Sequence, residues 1–374
     1  MAGKRIRVVA GDAGGWDALL PPLCLALDAG CTVEVYLTAS SGKKFTDGQL
    51  QVDPRMTVQA RGTEMSDLIH FLKPATHHLI VVGASQSREG YQAAATALVL
   101  SDSIPRLCVE DMYGSSLPML NLVYGEIECL CVTDELARTM VLQKFPKLKD
   151  NVEVTGGPQY DKTIAVKRRW QERRCELREA LNTDENHSVF LVAGGLNGTV
   201  ETLELLDAGI EQSGVTAFAK VIVRVHARAS IPDKKETEQY FKATKRTWFT
   251  DVDKSVAENS TDLLPGVDFV LSGYSTTNHF GILYGMPGVV YVGTPAFKRD
   301  LKAEKGLERP PEVEAGAGWY VQNGADMADV IMALQPDVPL PKVRKLMDAQ
   351  KRIASYNDGN AAERVWEQMQ RLMA

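Results

Sequence analysis

A chain of 374 residues with 44% hydrophobic and 24% charged side chains has the make-up of a folded protein that divides its interior between two domains, not of a disordered chain. Its formal net charge of −6 argues against a broad nucleic-acid surface, although a local basic patch stays open. No uninterrupted apolar run reaches membrane-spanning length, and the start MAGKRIRVVAGDAGG passes from a short basic stretch into a strand without a secretory signal. The expected location is cytoplasmic, with peripheral membrane contact still allowed.

Residues 6–10 read as a first strand, ended by Gly11-Asp12-Ala13-Gly14-Gly15. Residues 18–29 follow as a helix with Pro21 and Pro22 near its start, and residues 32–37 as a second strand, which makes a βαβ unit and the beginning of a mostly parallel sheet. The pattern continues at 78–83, 92–100, 106–109, 128–132 and 152–155. His77 and His78 precede a strand and read as surface residues. Cysteines Cys24, Cys31, Cys108, Cys129, Cys131 and Cys175 have no paired-knuckle spacing. Cys129 and Cys131 read as two faces of a buried strand, and a reducing compartment fits best. A charged helix over 162–180 leads out of the first domain. A second α/β rhythm follows: strand 188–193, a glycine turn, helix 200–211, and strands 220–225, 268–272 and 288–292. The charged, proline-bearing stretch 297–318 reads as a loop or lid, and 360–373 as a closing amphipathic helix.

Two glycine-bearing turns each follow the first strand of a domain. In the first, Gly14 and Gly15 let backbone approach a ligand at a helix start. That turn lacks the G-x-G-x-x-G order and serves equally well as a structural turn. Asp12 within it is a candidate base or a helix cap. In the second, Gly194, Gly195 and Asn197 precede Thr199 in the same geometry, which suits a phosphate or ribose. Arg224, His226 and Arg228 end a hydrophobic strand as its polar side, with Val225 facing the core. They offset a diphosphate charge or pair with Asp233 and nearby acids. The segment Ser272–His279 places Gly273, Ser275, Thr276, Thr277 and His279 between a strand and a helix, either as a phosphate cradle or as an elaborate N-cap. Glu110 and Asp111 end another strand as candidate general bases, especially where burial raises a pKa, or cap the turn that follows. No histidine or carboxylate cluster has metal-ligand spacing.

These motifs occur in the order found in the GT-B superfamily of nucleotide-sugar enzymes, which the chain resembles over most of its length. VTGGPQYD (154–161) resembles the segment that closes the first domain in those families, and RVHARA (224–229) their strand ending in His-Pro-Arg, with Ala227 in place of proline. LSGYSTTNHFGILYGMPGVVY (271–291) is similar to their serine-to-glycine-proline signature, and YNDGNAAERVWEQM (356–369) to their last helix. The resemblance implies an α/β protein of two facing Rossmann-like domains with a ligand cleft between them. It divides the chain into an acceptor domain over residues 1–165, a nucleotide-donor domain over 166–345, and C-terminal helices over 346–374 that cross back. It further implies a glycosyltransferase that passes a sugar from a nucleotide-diphosphate donor to a small-molecule or glycan hydroxyl without a required cofactor or metal. In that reading Asp12, Asp111, Arg224 and His226 carry the chemistry; a homodimer is compatible with it. A nucleotide-sugar 2-epimerase or hydrolase, and a non-catalytic binding protein of the same fold, are the alternatives. Phe280 stands where those families place the acidic residue that holds the nucleotide ribose, and phenylalanine cannot accept a hydroxyl hydrogen bond.

Overall fold

The computed structural model describes residues 1–60, 65–73, 76–101, 103–226, 229–244, 246, 248–250, 252, 255–335 and 341–374. The chain forms two compact units. The first joins Met1–Ile164 to Ser355–Ala374, and the second is Ala165–Ala354.

In the first unit the strands are β1 (Arg5–Ala10), β2 (Thr32–Leu37), β3 (Thr57–Ala60), β4 (Leu79–Gly83), β5 (Arg106–Val109), β6 (Cys129–Val132) and β7 (Val152–Val154). They pair in the order β3-β2-β1-β4-β5-β6-β7, all parallel. The apolar runs explain this arrangement. Leu79 and Val81 of β4 enter the cluster beneath one face, while Ile80 and Val82 enter the cluster beneath the other. A strand buried on both sides needs a near-continuous hydrophobic run. Cys129 and Cys131 both belong to one of these clusters, with their sulfurs 3.8 Å apart. They share a face, as residues two apart in a strand must, which corrects the two-face reading. His77 is buried rather than exposed, 3.5 Å from Glu34, which also pairs with buried Arg7.

The second unit holds β8 (Ser188–Ala193), β9 (Ala219–Arg224), β10 (Phe249–Thr250), β11 (Phe269–Ser272), β12 (Gly288–Val292) and β13 (Trp319–Val321). Their order is β10-β9-β8-β11-β12-β13, again wholly parallel. Counted within the unit this is 3-2-1-4-5-6, the doubly wound Rossmann order. The first sheet has the same order with one further strand. In each sheet the winding reverses between the unit's first and fourth strands, β1/β4 and β8/β11. There the connecting loops part and leave a crevice at the carboxyl edge.

Several elements differ from the sequence reading. The first helix spans Ala13–Asp28, so Gly14 and Gly15 lie in its opening turn and Pro21 and Pro22 lie well inside it. Residues read as a loop at 297–318 include the helices Pro295–Lys305 and Pro311–Glu314. Their start signals are a proline at the first position and, for the longer helix, Thr294 accepting the Phe297 N–H. The charged segment at 162–180 is two helices, Thr163–Arg168 and Trp170–Ala180.

The segments 154–161 and 356–369 bind each other within the first unit. Asp161 accepts the Ala361 and Ala362 N–H groups at 3.0 and 2.9 Å, which caps the start of helix Ala361–Met373. Asn357 Oδ1 accepts the Gly157 N–H at 2.9 Å, and Arg364 donates to the Thr155 carbonyl at 2.7 Å. Gly156 has a φ of +83°, and a Cβ there would fall 2.2 Å from the Tyr356 carbonyl oxygen, so no other residue fits. The helix then buries Val365, Met369 and Met373 in the cluster that also holds Trp16, Leu19 and Leu23. Asp161→Ala removes the cap and should cost about 1–2 kcal/mol. Urea unfolding should show a lower midpoint for the first unit, with Asp161→Asn falling between the two.

Candidate functional site

At the carboxyl edge of the second sheet, the loops after β8 and β11 meet at the switch point. Gly195, Asn197 and Gly198 from one, and Ser272, Gly273, Tyr274 and Ser275 from the other, line a cavity of about 80 Å³. Two helices begin beside it, Thr199–Ser213 and Thr276–Tyr284. Their opening N–H groups and dipoles favour an anion. Ser275 is the N-cap of the second helix and accepts the Thr277 N–H at 3.2 Å. Ser272 is buried, and its hydroxyl has no hydrogen-bond partner among the described residues. An unsatisfied buried hydroxyl in a cavity wall is the atom a polar ligand would complete.

Other residues singled out in the sequence have different surroundings. The Gly194 N–H donates to the Arg224 carbonyl at 2.9 Å, and a Cβ on Gly194 would lie 2.9 Å from Thr199 Oγ1. Its role is close packing of loop on strand. Thr199 gives its N–H and hydroxyl to buried Asp233 at 3.0 and 2.7 Å, which accounts for Asp233 without an arginine. Arg224 donates from Nη2 to the Ala257 carbonyl at 2.9 Å. Strand β9 ends at Arg224, and Val225 is 36% exposed, so it does not face the core. His226 lies past the strand end, while Ala227 and Arg228 fall outside the described residues. Thr276 is exposed and Thr277 buried.

His279 and Phe280 are both buried, Phe280 with its ring 6.1 Å from that of Tyr284. His279 Nδ1 lies 3.4 Å from Glu312 Oε1, and Glu312 is 1% exposed with Oε2 unpartnered among the described residues. A carboxylate thus reaches the neighbourhood of position 280 from helix Pro311–Glu314. Sequence reasoning missed it by treating that stretch as loop. The double proline followed by an acidic residue was the available signal. Helix Pro295–Lys305 was missed for the same reason and bears directly on the cavity. The Phe297 ring lies against Gly273, where a Cβ would come within 1.9 Å of it, and Asn197 Nδ2 donates to Asp300 at 3.1 Å.

The carboxyl edge of the first sheet gathers acids. Asp12 accepts from the Ser87 hydroxyl at 2.8 Å, the Gln86 and Ser87 N–H groups at 3.0 and 3.2 Å, and the Ser85 and Ser40 hydroxyls. Burial raises its pKa, but the Ser85, Ser87 and backbone hydrogen bonds outweigh this and hold it below the ordinary carboxylate value. Such a group fixes the loops after β1 and β4 to each other and is a poor base. A Cβ on Gly14 would lie 2.4 Å from Asp111 Oδ2, so that side chain would have to shift, and one on Gly15 would lie 2.5 Å from the Ala84 carbonyl oxygen, where backbone leaves no room. Both glycines serve close contacts of the helix start. Glu110 is fully buried. Its Oε1 accepts the Ser116 N–H and hydroxyl at 3.2 and 2.8 Å, and Oε2 has no partner among the described residues. Burial pushes its pKa up to about 8, opposed by Ser116 and assisted by Asp111 and Asp134. Glu110 is thereby poised to exchange a proton near neutral pH, as a general base requires, whereas Asp12 is not.

Glu110 binds its proton more tightly folded than unfolded, so its stabilisation is complete below about pH 4.5 and is lost as pH rises through about 8. Urea unfolding of the first unit between about pH 5 and pH 9 should show stability declining with pH, and Glu110→Gln should flatten that dependence.

No family model and no curated protein matches the sequence. Solved structures do match, and the fold they define is GT-B, two Rossmann-like domains in one chain. S. aureus MnaA, solved with UDP, superposes with a TM-score of 0.66 at 14% identity, covering 98% of this chain and 96% of that one. The UDP-GlcNAc 2-epimerase of Neisseria meningitidis bound to UDP-GlcNAc gives 0.65 at 14% identity, covering 98% and 100%. Acinetobacter baumannii MurG gives 0.57 at 12%, covering 98% and 99%. Among the described residues no helix is long and apolar enough to cross a membrane.

Proposed function

We propose that this protein is a GT-B transferase that binds a nucleotide-diphosphate sugar on its second unit and passes the sugar to an acceptor hydroxyl. One observation carries the reading. At the β8/β11 switch point, two loops rich in glycine and hydroxyl groups, two helix starts and the unpartnered Ser272 hydroxyl converge on one cavity. Structural neighbours solved with UDP (MnaA) and with UDP-GlcNAc (the Neisseria epimerase) support a nucleotide sugar as the ligand class.

The chemistry follows from charge. The acceptor oxygen attacks the sugar's activated carbon, the bond to the diphosphate breaks, and the acceptor's proton passes to a carboxylate. Glu110 is the candidate for that proton, with Asp111 beside it, and the carboxyl edge of the first sheet is the acceptor side of the reading. Negative charge grows on the leaving diphosphate, where helix N–H groups stabilise it together with Arg224 and His226 at the end of β9. The likeness to the Neisseria 2-epimerase favours a second reading, inversion at the sugar's C2 with or without loss of the nucleotide. Analysis of products by mass spectrometry and NMR separates the two, since transfer consumes the acceptor and epimerisation does not.

Two variants test the site itself. Ser272→Ala with Ser275→Ala should weaken UDP binding by calorimetry about tenfold or more, with the fold checked by circular dichroism. Unchanged binding would remove this cavity from the donor site. Arg224→Ala should lower turnover more than it raises the acceptor KM, as loss of a transition-state contact does; wild-type turnover in that variant would assign Arg224 to holding the Ala257 loop alone.

A further inference from the structure

A second cavity of this unit lies at the opposite edge of its sheet. It holds about 1020 Å³ and is bordered by Ser188 at the start of β8, Phe269 at the start of β11, and Gly285–Pro287 just before β12. Strand β8 is six residues long, or about 20 Å, so this cavity and the glycine loops stand at the two ends of the same strands. Nothing in the transfer reaction uses it.

Its walls have a definite chemistry. Four aromatic residues line it, Trp170 and Tyr284 at a ring separation of 5.1 Å, together with Phe218 and Phe269. Val267, Met286 and Leu334 add apolar surface. Among the charged groups, Arg174 pairs with Glu185 at 2.8 Å and Asp268 at 3.0 Å, and Arg178 closes on Asp268 from behind at 2.7 Å. Two arginines therefore answer two carboxylates. His187 is likewise bonded to Asp184 at 2.7 Å. Lys167 remains as a partly buried ammonium with no ion pair among the described residues, and burial presses its pKa down.

We propose that this cavity is a second ligand site, for a small aromatic carboxylate whose ring lies among Trp170, Tyr284 and Phe218 and whose charge meets Lys167. Among the described residues Lys167 is the one cation of this lining without an ion pair, which suits a single negative charge. A phosphate dianion would want more donors and would meet the Glu185 and Asp268 carboxylates. The site stands independently of the transfer reading, since it shares no residue with the donor cavity.

Indole-3-acetate and its neutral amide, indole-3-acetamide, present one ring with and without the charge. Titration calorimetry and saturation-transfer NMR on the full chain should show saturable binding of the acetate, at least about tenfold tighter than the amide. Lys167→Met should bring the acetate down to the amide's affinity and leave the amide unchanged, whereas Lys167→Arg should keep the preference. Phe218→Ala, at a position 53% exposed, should weaken both ligands without lowering the unfolding midpoint. UDP in excess should displace neither. Failure of the acetate to bind saturably, an unaltered preference in Lys167→Met, or displacement by UDP would each overturn the proposal. Unchanged UDP binding in the Ser272→Ala/Ser275→Ala variant with the acetate site intact would overturn only the donor reading.

Discussion

Both sheets are wholly parallel, and helices bury their two faces. That constraint governs where anything polar can happen. The strands are near-continuous apolar runs whose side chains enter clusters above and below, so the sheet interior has no place for a charged ligand. Chemistry is confined to the strand ends, where backbone turns, helix starts and side chains such as Ser272, Glu110 and Asp12 emerge. The same reasoning separates the two cavities of the second unit, one at each end of its strands.

The acids of the first sheet show how one edge sorts similar groups into different tasks. Asp12 is saturated with donors and stays ionised, tying the loop after β1 to the loop after β4. Glu110, two strands away from β1 in the sheet order, has one oxygen bonded and one without a partner among the described residues, and burial raises its proton affinity. Their difference comes from the deeper burial of Glu110 and its smaller supply of hydrogen bonds rather than from residue type.

The strands and glycine turns were legible in the sequence because burial on both faces demands long apolar runs, and because the turn glycines sit where backbones nearly touch. The alternation of two α/β rhythms and the order of the VTGGP, RVHARA and SGYSTT segments pointed to the GT-B fold that the solved structures share. What was not legible depends on contacts distant in sequence. The roles of Gly14, Gly15 and Gly194 are set by Asp111, Ala84 and Arg224, none of them near in the chain. Helix Pro295–Lys305 has mostly charged residues on its open side, so its short apolar seam, Phe297 and Leu301, gave a weak signal. The two-residue strand β10 carries almost no periodicity at all. Glu312 became visible as a carboxylate beside His279 only once that neighbourhood folded.

The clasp between Asp161 and the start of the last helix has a consequence for biosynthesis. The first unit is discontinuous, since its sheet is encoded before residue 165 and its closing helix after residue 354. As the chain leaves the ribosome, the whole second unit is made before the first can be completed. Until then the groove that receives Val365, Met369 and Met373, beside Trp16, Leu19 and Leu23, stays uncovered on the nascent chain. The earliest-translated half is therefore the last to be sealed, and any stop codon that removes the tail leaves that apolar groove open for good.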